Sequence, residues 1–200
     1  MCVAASRLAA RGVFVKRALD IAMAVAALVL LALPMLAVAL WIRLTSPGPA
    51  LYWSDRVGRN NVIFRMPKFR TMLLDTPPVP KHLLADPGRH LTPVGRFLRQ
   101  YSLDELPQLF SILRGDMSFV GPRPLLFNHE DRLVRRTQKG IHVLMPGLTG
   151  WAQINGRDKV PASVKVDLDE WYLKNRSLAL DMKIIFWTFI KVVKKEGVAH

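Results

Sequence analysis

The chain carries an uncharged apolar run from Ile21 to Ile42, IAMAVAALVLLALPMLAVALWI, bounded by Asp20 and Arg43. At about 1.5 Å per residue, a helix of this length matches a bilayer core of roughly 30 Å. Two features separate it from an ordinary span. Pro34 lacks an N–H and clashes with the carbonyl of Leu30, which predicts a break there. Basic residues flank both ends, with Arg7, Arg11, Lys16 and Arg17 before the run and Arg43, Arg56 and Arg59 after it. The positive-inside rule therefore selects no side. A segment that enters and leaves on one face satisfies both flanks, and the half from Ile21 to Leu33, about 20 Å long as a helix, is too short to cross. The run is also too long for the apolar region of a secretory signal and shows no clear small-x-small cleavage site. The pattern favours a re-entrant helix–break–helix, with a plain span as the alternative because spanning helices tolerate proline.

Thr45 to Pro49 (TSPGP) is a turn that separates this membrane-embedded part, residues 1–44, from a polar part, residues 45–200. Leu51 to Phe69 mixes aromatic and β-branched residues around Gly58 and Asn60-Asn61, which predicts a short hairpin. Asp75 to Pro93 is too rich in proline for more than a turn of helix around Leu83-Leu84. Ser102 to Leu113 has helical periodicity, with Leu103, Leu106, Phe110 and Leu113 on one face and a stop at Gly115. Leu125 to Arg136 reads as a charged helix, Met145 to Arg157 as a glycine-punctuated irregular segment, and Ala162 to Lys174 and Asp181 to Lys195 as two further helices. On the last of these, Lys183, Lys191, Lys194 and Lys195 share one arc at 100° per residue, and Ile185, Phe186, Phe189, Ile190, Val192 and Val193 fill the opposite one. That pattern suits a helix in the headgroup layer, and equally a packing helix with a solvated lysine face.

Composition sharpens the picture. Lys plus Arg is 29 against 15 Asp plus Glu, a formal net charge of +14, while 50% of residues are apolar. That apolar content excludes global disorder, and the lone Cys2 excludes a disulfide scaffold. A membrane-attached protein handling an anionic partner fits both numbers. No Walker A loop, dinucleotide fingerprint, H-E-x-x-H or C-x-x-C is present, and the histidines are scattered.

The densest chemistry lies in Ser102-Leu103-Asp104-Glu105-Leu106-Pro107-Gln108. Ser102 with Glu105 matches a capping box, and Pro107 suits a first helical turn. Adjacent carboxylates at a helix N-terminus, with Arg96 and Arg99 upstream and Arg114, Arg123 and Arg157 in downstream loops, suit Mg²⁺ bridging a diphosphate. For an isolated S-x-x-E, capping alone is the better account of the acids, and solvation is the plain account of any single arginine; the arginines taken together shift the balance. The sharper expectation is phosphoryl transfer at a membrane surface, with Asp104 as nucleophile or metal ligand.

KFRTM at Lys68–Met72, SLDELPQL at Ser102–Leu109, GDMSFVGPRPLL at Gly115–Leu126, PGLTGWAQINGR at Pro146–Arg157 and LDMKI at Leu180–Ile184 together resemble the bacterial sugar transferases, the monotopic polyprenyl-phosphate phosphoglycosyl transferases that initiate glycoconjugate assembly. The resemblance runs from about Lys16 to about Lys195 and is that of a small member holding the catalytic unit alone. It implies transfer of a phosphosugar from a UDP-sugar to undecaprenyl phosphate, with release of UMP and with Mg²⁺, at the cytoplasmic face of the bacterial inner membrane. It implies Asp104 as the nucleophile that carries a covalent phosphosugar and as a metal ligand. Glu105 is its partner in the dyad, and Arg99, Arg123, Arg157 and Lys68 are phosphate-binding residues. Asp169 and Asp181 match motif aspartates, for which helix capping is an equal reading. Leu33 stands where the family often places a serine before the proline, so no hydroxyl is available there to take up a freed backbone group.

The expected fold class is therefore α/β and mainly helical: a re-entrant N-terminal helix broken at Pro34, interfacial amphipathic helices, and a small cytoplasmic catalytic domain with a short β element. Inner-membrane lipids are expected partners and nucleic acid is not, since no nucleic-acid-binding motif accompanies the charge. A membrane-tethered nucleic-acid binder and a non-catalytic scaffold are the competing classes. The sugar, the glycan pathway and the oligomeric state are left open by the sequence.

Overall fold

Uninterrupted Leu, Ala and Val favour helix on both sides of Pro34. In the computed structural model, which describes residues 2–76, 86, 88–127, 130–156 and 160–194 and the side chains from residue 12 onward, they form one helix, α1 (Cys2–Thr45). Helical backbone continues through Pro34, so the break expected there is not an interruption of the helix. Proline removes one i→i−4 bond, and packing on either side of it outweighs that loss. Asp20, Ala24, Met35, Val38 and Ile42 are buried, and Ala27, Leu28, Leu31 and Ala39 pack beside them. The three- and four-residue spacing marks one stripe facing the rest of the fold. The opposite face is bare: Leu30 and Leu33 are each 78% exposed.

Residues read as flanking charges are internal ties. Lys16 Nζ lies 2.6 Å from Asp181 Oδ2. Arg17 donates to the carbonyls of Ile112 and Leu113 at 2.7 and 2.9 Å. Asp20 Oδ1 accepts from the Phe119 N–H at 3.1 Å. All three attach the N-terminal side of α1 to the polar fold.

The hairpin forms where the sequence places it. Strand β1 (Leu51–Val57) pairs antiparallel with β2 (Ile63–Phe69), in register from Leu51↔Phe69 to Val57↔Ile63. Asn60 and Asn61, at φ 54° and 61°, turn it. Helix α2 (Gly95–Gln100) leads to a 3₁₀ turn (Leu103–Glu105) and helix α3 (Gln108–Arg114). The capping box does not form: Ser102 is left-handed at φ 56° and caps nothing with its side chain. Helix α3 therefore begins after Pro107 rather than near Asp104. Its buried face is Gln108, Leu109, Ser111 and Ile112, and Phe110, expected inside, is 51% exposed.

Strand β3 (Ser118–Val120) runs parallel to β5 (Gly147–Thr149), while β4 (Leu125–Leu126) adds to the free edge of β1. The expected irregular segment thus contains a strand and a short helix, α5 (Trp151–Ile154). Its glycines let two backbones touch: a Cβ on Gly121 would strike the Met145 carbonyl, and one on Gly150 the Gly121 carbonyl. Helix α4 (Glu130–Gln138) starts later than expected because Leu125 and Leu126 belong to the sheet. Helices α6 (Ala162–Asn175) and α7 (Leu178–Val193) lie where periodicity placed them. Three apolar clusters join the parts: Met35, Val38 and Ile42 with Phe69, Val94 and Leu98; Ala24 with Met66, Leu109, Ile112 and Met117; and Val120, Leu144 and Ile154 with Tyr172 and Ile184.

Candidate active site

The left-handed Ser102 turns the chain sharply between α2 and α3, so the Leu103–Glu105 turn is presented to β2 rather than buried in a helix. Lys68, near the end of β2, reaches it from the sheet. Lys68 Nζ lies 2.7 Å from Glu105 Oε1. Arg123, in the loop between β3 and β4, approaches from the other side and places Nη2 2.7 Å from the same oxygen. Both cations end on Oε1, which leaves Oε2 to other partners. Lys68 and Glu105 side chains are only 15% and 16% exposed, whereas Arg123 is half exposed.

Asp104 accepts neither of these bonds. Burial pushes its carboxyl up to about 6, with the Glu105 charge acting in the same direction, against Lys68, Arg99 and Arg123. Burial also acts to raise Glu105, but Arg123 and Lys68 override it and hold that carboxyl well below the usual range. Two neighbouring acids are thus driven apart, one poised near neutrality and the other fixed as an anion. Arg99, on α2, is lowered by burial, with the nearby Asp104 charge opposing that change. Its Nε donates to Thr71 Oγ1 at 2.9 Å.

Five of the site residues expected from sequence, Asp104, Glu105, Arg99, Arg123 and Lys68, therefore converge. Arg157 lies outside the described residues. Pro34 belongs to α1, far along the chain from this cluster. Asp169 and Asp181 cap no helix with their side chains: Ser177 Oγ caps α7 by accepting from Leu180 N at 3.2 Å. Asp181 instead takes Lys16 and the Tyr172 hydroxyl, the latter at 2.6 Å.

Two arginines escape a sequence reading. Arg56, counted among flanking charges, points from β1 to the site. Burial and then Arg123 lower it to about 10, while Glu105 raises it. Alternation along β1 is the signal that could have found it, since Tyr52, Ser54 and Arg56 lie on one face of the hairpin with Lys68, which pairs with Tyr52. Arg70 is buried at 5% exposure and donates to the Ser46 carbonyl and hydroxyl at 3.0 and 2.8 Å, locking the turn after α1 onto β2.

With Arg56, Arg99, Lys68 and Arg123 around two carboxylates, the site carries excess positive charge suited to a diphosphate. For a divalent cation, Asp104 and Glu105 Oε2 are the donors at hand. Among the described residues no group of three or more His, Cys, Asp or Glu could hold a metal ion. One or two carboxylates completed by phosphate oxygens is the donor set Mg²⁺ takes in phosphoryl-transfer sites, so the residues fit that ion.

The profile of the family described as bacterial sugar transferase matches residues 11–195. The undecaprenyl-phosphate galactose phosphotransferase of Salmonella typhimurium is 41% identical over 92% of this chain and 41% of its own length. An N-acetylgalactosaminephosphotransferase of Aeromonas hydrophila, named for UDP-N-acetylgalactosamine and undecaprenyl phosphate, is 39% identical over 92% of this chain and 45% of its own length. The uncharacterized sugar transferase EpsL of Bacillus subtilis is 44% identical over 78% of this chain and 76% of its own length. The chain spans under half the length of the first two relatives and about three quarters of the third. A family match over nearly the whole chain, from residue 11 to residue 195, makes this chain a member of the bacterial sugar transferase family.

Proposed function

We propose that the protein is a phosphoglycosyl transferase that moves a phosphosugar from a UDP-sugar to undecaprenyl phosphate, releasing UMP, as a membrane step of glycoconjugate assembly. The observation that carries this is the pairing of a part-buried Asp104, poised near 6, with a Glu105 clamped by Lys68 and Arg123. An ionised Asp104 oxygen attacks the sugar-proximal phosphorus of the donor. A P–O bond forms as the bond to the bridging oxygen breaks, and UMP leaves with that electron pair. A phosphate oxygen of the lipid then attacks the same phosphorus, and the Asp104 carboxylate departs. Arg99, Arg123, Lys68 and Arg56 neutralise the phosphate oxygens as charge shifts between them, and Arg157 of the same motif set joins them. Glu105 keeps Lys68 and Arg123 in place and repels Asp104, which favours reaction of the latter. Asp104 and Glu105 Oε2 would hold Mg²⁺, which would supply charge neutralisation at the diphosphate.

Residues 1–44 serve as the membrane-embedded part and 45–200 as the catalytic part, at the cytoplasmic face of the inner membrane. The exposed apolar face of α1 is the surface for lipid, and its opposite face lies against the polar fold on both sides of Pro34. That arrangement supports one-sided, re-entrant insertion over a span. The isoprenoid stays in the bilayer, so a site beside such a helix meets the lipid phosphate at headgroup height.

The test is donor-only incubation with a panel of UDP-sugars. Stoichiometric UMP release and an intact-mass adduct equal to one phosphosugar, lost in Asp104→Asn, are expected. Release that needs the lipid from the first turnover, with no adduct, overturns the covalent route.

A further inference from the structure

The reaction proposed above employs Arg123 and leaves Arg136 without a role, yet Arg136 is what holds Arg123's own peptide. Arg123 sits between Pro122 and Pro124, which restrict the backbone on both sides. Three successive carbonyls of this loop are tethered from three directions. Pro122 O accepts from Gly147 N at 2.9 Å, Arg123 O from Arg136 Nη1 at 2.8 Å, and Pro124 O from Arg56 Nη1 at 3.5 Å. The second edge of the Arg136 guanidinium, Nη2, donates to Asp169 Oδ2 at 2.6 Å. The two side chains are 12% and 2% exposed.

We propose that Arg136, oriented by Asp169, is a positioning residue that sets Arg123 against Glu105 and the donor diphosphate; the inference rests on the phosphoglycosyl transfer reading. A buried ion pair is a poor source of net stability, because desolvation of both charges opposes their attraction. What this pair supplies is geometry. Asp169 on α6 fixes the guanidinium plane, and the plane fixes the peptide from which the Arg123 side chain leaves towards Glu105 Oε1. Arg136 lines a cavity of about 20 Å³ together with Asn61 and His142. Arg136 Nε, Asn61 Oδ1 and His142 Nδ1 are buried without a partner among the described residues. One water fits such a volume, accepting from Nε and donating to the other two. Lysine keeps the charge for Asp169 but lacks the planar fork that serves Asp169 and the Arg123 carbonyl together.

The test is a double-mutant cycle between Arg136→Lys and Arg123→Ala, read as kcat/KM for UMP release by purified full-length protein. In the wild-type background Arg136→Lys is expected to cost roughly ten- to a hundredfold, the scale of a small misplacement of a binding group. In the Arg123→Ala background it is expected to cost less than about threefold, because the group it positions is gone. Additive losses overturn the inference and reduce Arg136 to a brace between α4 and α6. The same cycle on UDP affinity, measured by calorimetry, reads the coupling without turnover. A protein that binds UDP with the expected coupling but releases no UMP therefore sinks the reaction and not the positioning role. If Arg136→Lys melts below the assay temperature, Asp169→Asn, which removes the charge and keeps an acceptor, takes its place in the cycle under the same criteria.

Discussion

At the scale of single residues, the site works against the stability of its own fold. The Asp104 carboxyl is pushed up to about 6, chiefly by burial. A carboxyl whose folded value lies above its unfolded value near 3.9 adds no penalty while protonated below both. As pH rises from about 4 to about 6 its ionisation costs the folded state up to about 3 kcal/mol. The proposed reaction has the opposite requirement, since in it only the anion attacks phosphorus. Asp104→Asn is therefore expected to abolish UMP release and at the same time to raise the melting temperature at pH 7.5 in EDTA. For the wild type, kcat/KM is expected to fall on the acid side with a midpoint near pH 6. A melting temperature lowered by Asp104→Asn counts against an anion that burial disfavours. The pairing of these two acids was legible in the motif, but its geometry was not. Ser102 and Glu105 fit a capping box by spacing, and spacing carries no information on the left-handed turn at Ser102 that sends Glu105 to Lys68 instead. Arg56 was hidden for a related reason: in sequence it borders the apolar run, and only pairing of β1 with β2 and β4 carries it to the site.

At the scale of elements, long periodic segments were readable and short ones were not. The hairpin of β1 and β2, α6 and α7 follow from alternation and helical period over many residues. The pair β3 and β5 spans three residues each, too few for either period, and exists because glycines allow Gly121 to pass Gly147 and Gly150 at backbone contact. On α7 the wheel gave the right ingredients in a different arrangement. Lys191 turns inward to the Ile154 carbonyl, and Ile184 and Asp181 form the buried side. Met182, Phe186, Phe189 and Val193 form an outward apolar strip, from 42% to 69% exposed. Flanked by Lys183 and Lys194, that strip suits the acyl–headgroup boundary better than water. Replacing Phe186 and Phe189 together by Ser is expected to weaken binding to anionic liposomes in flotation while leaving the melting temperature within a few degrees. The side chains make few internal contacts, so a large drop in stability instead would mean that the strip is a packing face.

At the scale of the molecule, the question is whether a helix long enough to span is used as a span. Length and hydropathy alone permit either answer, which is why the sequence left a plain span open. The packing is more restrictive. On the N-terminal side of Pro34, Lys16, Arg17, Asp20 and Ala24 are bound to α7, α3, β3 and the cluster around Ile112. On its C-terminal side, Met35, Val38 and Ile42 are bound to Phe69, Val94 and Leu98, and Ser46 to Arg70. Both ends of the apolar run thus attach to one polar body, whose charged residues cannot enter hydrocarbon without a large cost. A span would pull one set of ties apart, leaving Asp20 or Asp181 buried without its partner and the α1 stripe exposed. Lying against the fold keeps every tie and still offers Val29, Leu30, Leu33 and Leu36 to lipid. Cys2, the single cysteine, makes the test direct. In sealed membrane vesicles, an impermeant maleimide is expected to label Cys2 from the same side as a cysteine placed near the other end by Ala199→Cys in a chain whose Cys2 is Ser. Labelling of the two positions from opposite sides would require the α1 ties to open in the membrane, and the one-sided arrangement would fall.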